Sequence, residues 1–252
     1  MHWYDKDGNP QYDQPNKSKG GTRPTTLRDA RKLGLGPSVT TICSLIDKPG
    51  LRDWAGRIWC ESYAFLREIM EQPGFESVKD EATKRMDEAS SFGTECHDIL
   101  EEYMANGEVA YGPRFDKVIP PVTQWLDEHV TQSFAVEKSF YGKGYGGKID
   151  LIALLEGPDV EMGWYIIDYK TTKPPLKSYD EHLWQLAAYH KPFTGQFDNL
   201  RAANLLISSN PDDPKIKFVD KTDDLVAGYA TFQSIFNTWV AIKGYTPPGF
   251  GE

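Results

Sequence analysis

The chain has 252 residues and 28.5 kDa, enough to bury a large core and better suited to one embellished domain than to two equal ones. Hydrophobic residues make up 39%, compensated by seven Trp, thirteen Tyr and twelve Phe, and no apolar run approaches the roughly 18 residues of a membrane span. The net charge of −9 argues against non-specific attraction to nucleic acid, but residues 1–60 hold ten Lys or Arg against six Asp or Glu, leaving −13 for the remainder. Cys43, Cys60 and Cys96 are odd in number and far apart. They speak for a reducing, cytoplasmic compartment and against a disulfide scaffold, a zinc ribbon or an iron–sulfur cluster.

Residues 1–36 are expected to form a flexible or extended arm, because 1–24 are rich in Gly, Pro, Asn, Lys and Asp and show no periodicity. The opening MHWYDKDGNPQYDQPN lacks an apolar core and does not read as a signal peptide. Order is expected from Pro37, giving a single domain over 37–252 with its core at about 90–220. Ser38 or Thr40 can cap a short helix over Ile42, Leu45 and Ile46, stopped by Pro49-Gly50. A longer helix follows from about Leu51 to Met70. Its Arg52 and Arg57 lie outward, as a solvated face or as contacts to backbone phosphates.

A charged helical pattern over Glu76–Ala89 is expected to end at Ser90-Ser91, where a new helix, SSFGTECHDILEEYMANG, would begin and run to Gly107. Its Gly93, His97 and Glu101 share one side. A lone histidine is usually packed, although imidazole also binds divalent metals. Phe115–His129 reads as a helix kinked at, or starting near, Pro120-Pro121.

Two strand patterns follow, Ile149–Leu155 and Trp164–Thr171, with Gly, Pro and acid between them. If their ends pair Leu155 with Gly163, opposed residue numbers sum to 318, and Asp150 faces Asp168. Lys170 then shares a face with Asp168. Two close carboxylates repel, so one must be protonated or a cation must neutralise them. Mg²⁺ prefers such oxygen ligands. Downstream, Asp180 can cap a helix over Glu181–Lys191 that aligns His182, Gln185 and Tyr189. Strands are expected at Ala202–Ser208 and Lys215–Val219, and a last helix at Leu225–Ile242 carries an aromatic stripe suited to a core.

GTECH at 93–97, GGKID at 146–150, IIDYKT at 166–171 and QLAAY at 185–189, preceded by PSVTTI at 37–42 and KPGLRDWA at 48–55, stand in an order that resembles the PD-(D/E)XK nuclease superfamily, in particular its RecB-like exonuclease branch, which includes many phage-encoded enzymes. The resemblance implies a restriction-endonuclease-like α/β/α core around a small mixed sheet, with added N-terminal helices. It also implies Mg²⁺- or Mn²⁺-dependent hydrolysis of DNA phosphodiesters, exonucleolytic in recombination, repair or phage DNA processing. By the same resemblance His97, Asp150, Asp168 and the backbone carbonyl of Tyr169 hold metal, Lys170 is the catalytic lysine, and Gln185 and Tyr189 orient the site or contact DNA. Glu137 matches an acidic position found in some members, with a strand-end ion pair as its other reading. The cysteine count departs from relatives that carry an iron–sulfur cluster. Any single-strand-binding or recombination partner would be a separate chain, and a phage-encoded enzyme would work in the host cytoplasm. Two alternatives remain at this stage: a non-catalytic nucleic-acid-binding member of the fold, and a metal-independent carboxylate hydrolase.

Overall fold

A computed structural model describes residues 1–16, 18 and 20–251. Lys17 and Lys19, within the expected arm, lie outside the described residues. In chain order the elements begin with β1 (Trp3–Tyr4), β2 (Asp13–Pro15), β3 (Thr22–Pro24), α1 (Leu27–Leu33), β4 (Gly36–Pro37) and α2 (Val39–Cys43). Helices α3 (Pro49–Ile69), α4 (Phe75–Asn106) and α5 (Ile119–His129) lead into β5 (Val130–Gly142), β6 (Tyr145–Gly157) and β7 (Val160–Thr172). Then come α6 (Asp180–His190), β8 (Arg201–Ser208), β9 (Ile216–Asp220) and α7 (Leu225–Lys243).

The centre is a five-stranded mixed sheet of order β5-β6-β7-β8-β9, antiparallel except for the parallel β7–β8 pair that α6 connects. Side-chain alternation gives the sheet two apolar faces. Ile152, Ile166 and Ala202 pack with Ile42 of α2, Leu186 of α6 and Phe232 and Trp239 of α7. Leu151, Ile167 and Leu205 pack on the other side with Cys96 and Leu100 of α4 and Val122 and Leu126 of α5. The architecture is α/β, with helices on both faces of a restriction-endonuclease-like core.

The β6–β7 register is the expected one from Leu155↔Gly163 to Leu151↔Ile167, but the ladder ends there and does not pair Asp150 with Asp168. Ser38 caps α2 by accepting the Thr41 N–H, but Pro49 opens α3 and does not merely stop the helix before it. Pro120 and Pro121 likewise lie in the first turn of α5, where their missing N–H groups cost nothing.

Two expectations are corrected. No new helix starts at Ser90-Ser91, because α4 runs unbroken for 32 residues. Ser91 and Thr94 turn their hydroxyls back onto the Glu88 and Ser90 carbonyls instead of capping a break. Nor is 1–36 a loose arm. Trp3 is fully buried, packs edge-on against Trp239 and Tyr245, and donates its indole N–H to the Thr25 carbonyl. Helix α1 follows, closed at its start by a reciprocal Thr26–Asp29 capping box.

Candidate active site

The site forms where β6 parts from β7. On its other flank β6 pairs with β5 through Val136↔Leu151 and Lys138↔Ile149, so Glu137 and Asp150 fall opposite each other. Glu137 has φ 50°, a left-handed conformation uncommon for a residue with a side chain and concentrated at functional sites. Beyond Leu151↔Ile167, Asp150 Oδ2 accepts the Tyr169 N–H at 2.7 Å, and β7 continues alongside β8, with Asp168 paired to Asn204.

Helix α4 brings His97 to this fork, with Nδ1 3.5 Å from Asp150 Oδ1 and its ring edge-on to Tyr169. One ligand atom from each of His97, Glu137 and Asp150 lies within 4.8 Å of the others. Burial alone would lower the His97 pKa, but the Asp150 charge and hydrogen bond outweigh it and hold the imidazole above its ordinary value. Burial likewise pushes against an ionised Asp150, yet His97, Lys170 and the Tyr169 N–H together keep its carboxyl below the usual range.

Asp168 belongs to a second, linked cluster on the α6 side. It is buried and accepts hydrogen bonds from Lys170 Nζ at 2.8 Å, Gln185 Nε2 at 2.9 Å and Asn204 Nδ2 at 3.0 Å. Burial raises its pKa; Lys170 offsets part of this and Asp150 adds to it. Gln185 Nε2 also donates to the Tyr189 hydroxyl at 2.9 Å. Tyr189 is buried, and its link to the cluster runs through Gln185. Both glycines before Lys148 make room for rings: a Cβ on Gly146 would lie 2.5 Å from the Tyr4 ring, and one on Gly147 2.6 Å from the Tyr189 ring.

The structure thus gathers His97, Glu137 and Asp150 in one group and Asp168, Lys170, Gln185 and Tyr189 in an adjoining one. Arg52 and Arg57 stand apart: Arg52 pairs with Asp47, and both are exposed on α3. Asn204 went unnoticed in the sequence, where it reads as one polar residue in an apolar strand.

The donor set fits a hard divalent cation. Two carboxylates and an imidazole converge, and the buried Glu137 Oε2 is met by the ammonium of Lys148. A buried carboxylate is costly unless a cation serves it, and a lysine ammonium or a divalent ion can take that place.

Residues 113–224 match the family model of the PD-(D/E)XK nuclease superfamily. This stretch, less than half of the chain, is similar to that superfamily. The matched region contains Glu137, Asp150, Asp168, Lys170, Gln185 and Tyr189, whereas His97 lies before it. No curated protein matches the chain. Together with the His97–Glu137–Asp150 group, the PD-(D/E)XK match supports a metal-dependent, nuclease-type hydrolase. Among the described residues, no helix is long and apolar enough to cross a membrane.

Proposed function

We propose that the protein is a RecB-like deoxyribonuclease that uses Mg²⁺ or Mn²⁺ to hydrolyse DNA phosphodiesters from a free end, in recombination, repair or phage DNA processing. The observation that carries this reading is the convergence of His97, Glu137 and Asp150 on one point, next to a lysine held on Asp168.

His97, Glu137 and Asp150 would hold the cation, joined by Asp168 and the Tyr169 carbonyl when substrate is present. A bound divalent cation supplies a Lewis acid for the scissile phosphate and lowers the pKa of an attacking water. Asp168 holds the Lys170 ammonium at the site, where it orients the attacking water and offsets charge developing on the phosphate. Gln185 and Asn204 fix the Asp168 carboxylate, so Lys170 need not reorganise during the reaction. Arg52 and Arg57 would contact DNA phosphates outside the centre.

End-labelled linear DNA, single- and double-stranded, and a closed circle are incubated with Mg²⁺, Mn²⁺ or EDTA. Stepwise loss from linear ends, an intact circle and complete inhibition by EDTA are expected. Cleavage in EDTA would overturn the metal-dependent reading, and cutting of the circle would overturn the requirement for an end.

A further inference from the structure

The cleft at the His97–Glu137–Asp150 group, about 250 Å³, contains a cation of its own. Lys148 lines it and sets its ammonium against Glu137 Oε2, an oxygen of the candidate metal-binding carboxylate. The two partners differ in freedom. The Glu137 side chain is 7% exposed and held by a left-handed backbone, whereas Lys148 is 45% exposed at the cleft mouth. An ammonium and a divalent cation on one carboxylate oxygen repel each other strongly. Entry of the second therefore favours release of the first where that partner has room to move, as the half-exposed lysine does.

We propose that Lys148 is an exchangeable counter-ion: it neutralises Glu137 in the metal-free protein, is displaced when a divalent cation binds, and then pairs with a phosphate of the incoming nucleic acid. This rests on the nuclease reading above. It couples the two binding events, because metal entry frees a phosphate contact that Glu137 otherwise withholds. Lys148 is a positioning residue in this account.

The test is the salt dependence of DNA binding, read by anisotropy of a labelled oligonucleotide in Ca²⁺, an oxygen-seeking cation, and again in EDTA. Each phosphate neutralised contributes about 0.7–0.9 to the slope of log K against log salt. Lys148→Met should reduce the slope by about that amount in Ca²⁺ and leave it unchanged in EDTA. Glu137→Gln, which releases the lysine without metal, should steepen the EDTA slope by a similar amount and serves if Lys148→Met does not fold. Calorimetry should show Ca²⁺ binding to Lys148→Met tighter by about tenfold, as expected once a competing charge is removed. An equal slope loss with and without Ca²⁺ would make Lys148 a fixed phosphate contact and overturn the exchange, as would no loss in either. Wild-type protein that binds neither Ca²⁺ nor DNA would overturn the nuclease reading itself. Normal wild-type binding of both with no Lys148 effect would overturn the exchange alone.

Discussion

Asp150 Oδ2 accepts the backbone N–H of Tyr169 at 2.7 Å, just past the last β6–β7 ladder pair. The carboxylate replaces the carbonyl that the departing strand no longer offers, so the fork between the strands opens without stranding a buried donor. Its other oxygen remains for His97 and for a cation.

This double duty separates two substitutions. Asp150→Asn keeps an oxygen acceptor for Tyr169 and should fold with little loss of stability. Asp150→Ala leaves the buried N–H unpaired and should cost about 1–3 kcal/mol. Urea titration of both proteins measures the difference, and equal stabilities would show that the Tyr169 bond is not a structural one.

Gly147 should be intolerant of a methyl group. A Cβ there would lie 2.6 Å from Tyr189 and 2.9 Å from Phe140, both buried rings. Gly147→Ala is expected to cost about 1–3 kcal/mol of stability by overpacking. Because Tyr189 positions Gln185, and Gln185 positions Asp168, turnover should fall further than stability alone explains. A folded variant with wild-type turnover would break that chain of contacts.

Trp3 anchors the N-terminal segment, so Trp3→Ala should lose about 3–5 kcal/mol, comparable to truncating a large core aromatic. A shift in the urea midpoint tests this. An unchanged midpoint would restore the picture of a flexible arm.

These residues also show what the sequence could convey. The β6–β7 register followed from a turn and two apolar runs, because period-two alternation and a short connection leave few pairings. The Asp168–Lys170 and Gln185–Tyr189 pairs were legible for a similar reason: each lies at a fixed spacing within one strand or helix. Glu137 was harder to rank. Its weight comes from a left-handed backbone and from a partner strand 13 residues away, neither of which is local. Trp3 was missed because a polar, Gly- and Pro-rich context hides one large aromatic whose partners, Trp239 and Tyr245, lie at the far end of the chain. The apparent break at Ser90-Ser91 failed because serine caps a helix only where the backbone already leaves it.

His182 should give the protein an acid-sensitive stability. Burial, followed by the positive charges of Lys170, Lys48 and Lys221, pushes its pKa down to about 3, and its Nδ1 accepts the Tyr179 N–H. The folded state therefore holds the ring neutral, while the unfolded chain protonates it near the ordinary 6.5. The contribution is fully present above that value and is lost as pH falls towards 3, by at most about 1.4 kcal/mol per pH unit. His182→Asn retains an acceptor for Tyr179 without the titration. Chemical denaturation from pH 7 to 4 should show a flatter acid limb for the variant, and parallel curves would contradict the neutral ring.

The central claim is that carboxylates hold a metal and a separate lysine serves the chemistry. Titrating Mn²⁺ by calorimetry into wild type, Asp150→Asn and Lys170→Ala, each checked for folding, while timing cleavage of end-labelled DNA by the same samples, tests it directly. Asp150→Asn should lose both metal binding and cleavage. Lys170→Ala should bind Mn²⁺ at least as tightly as wild type, yet cleave about 10²–10³-fold more slowly. Wild-type turnover by folded Lys170→Ala at saturating Mn²⁺, or normal Mn²⁺ binding by Asp150→Asn, would contradict it.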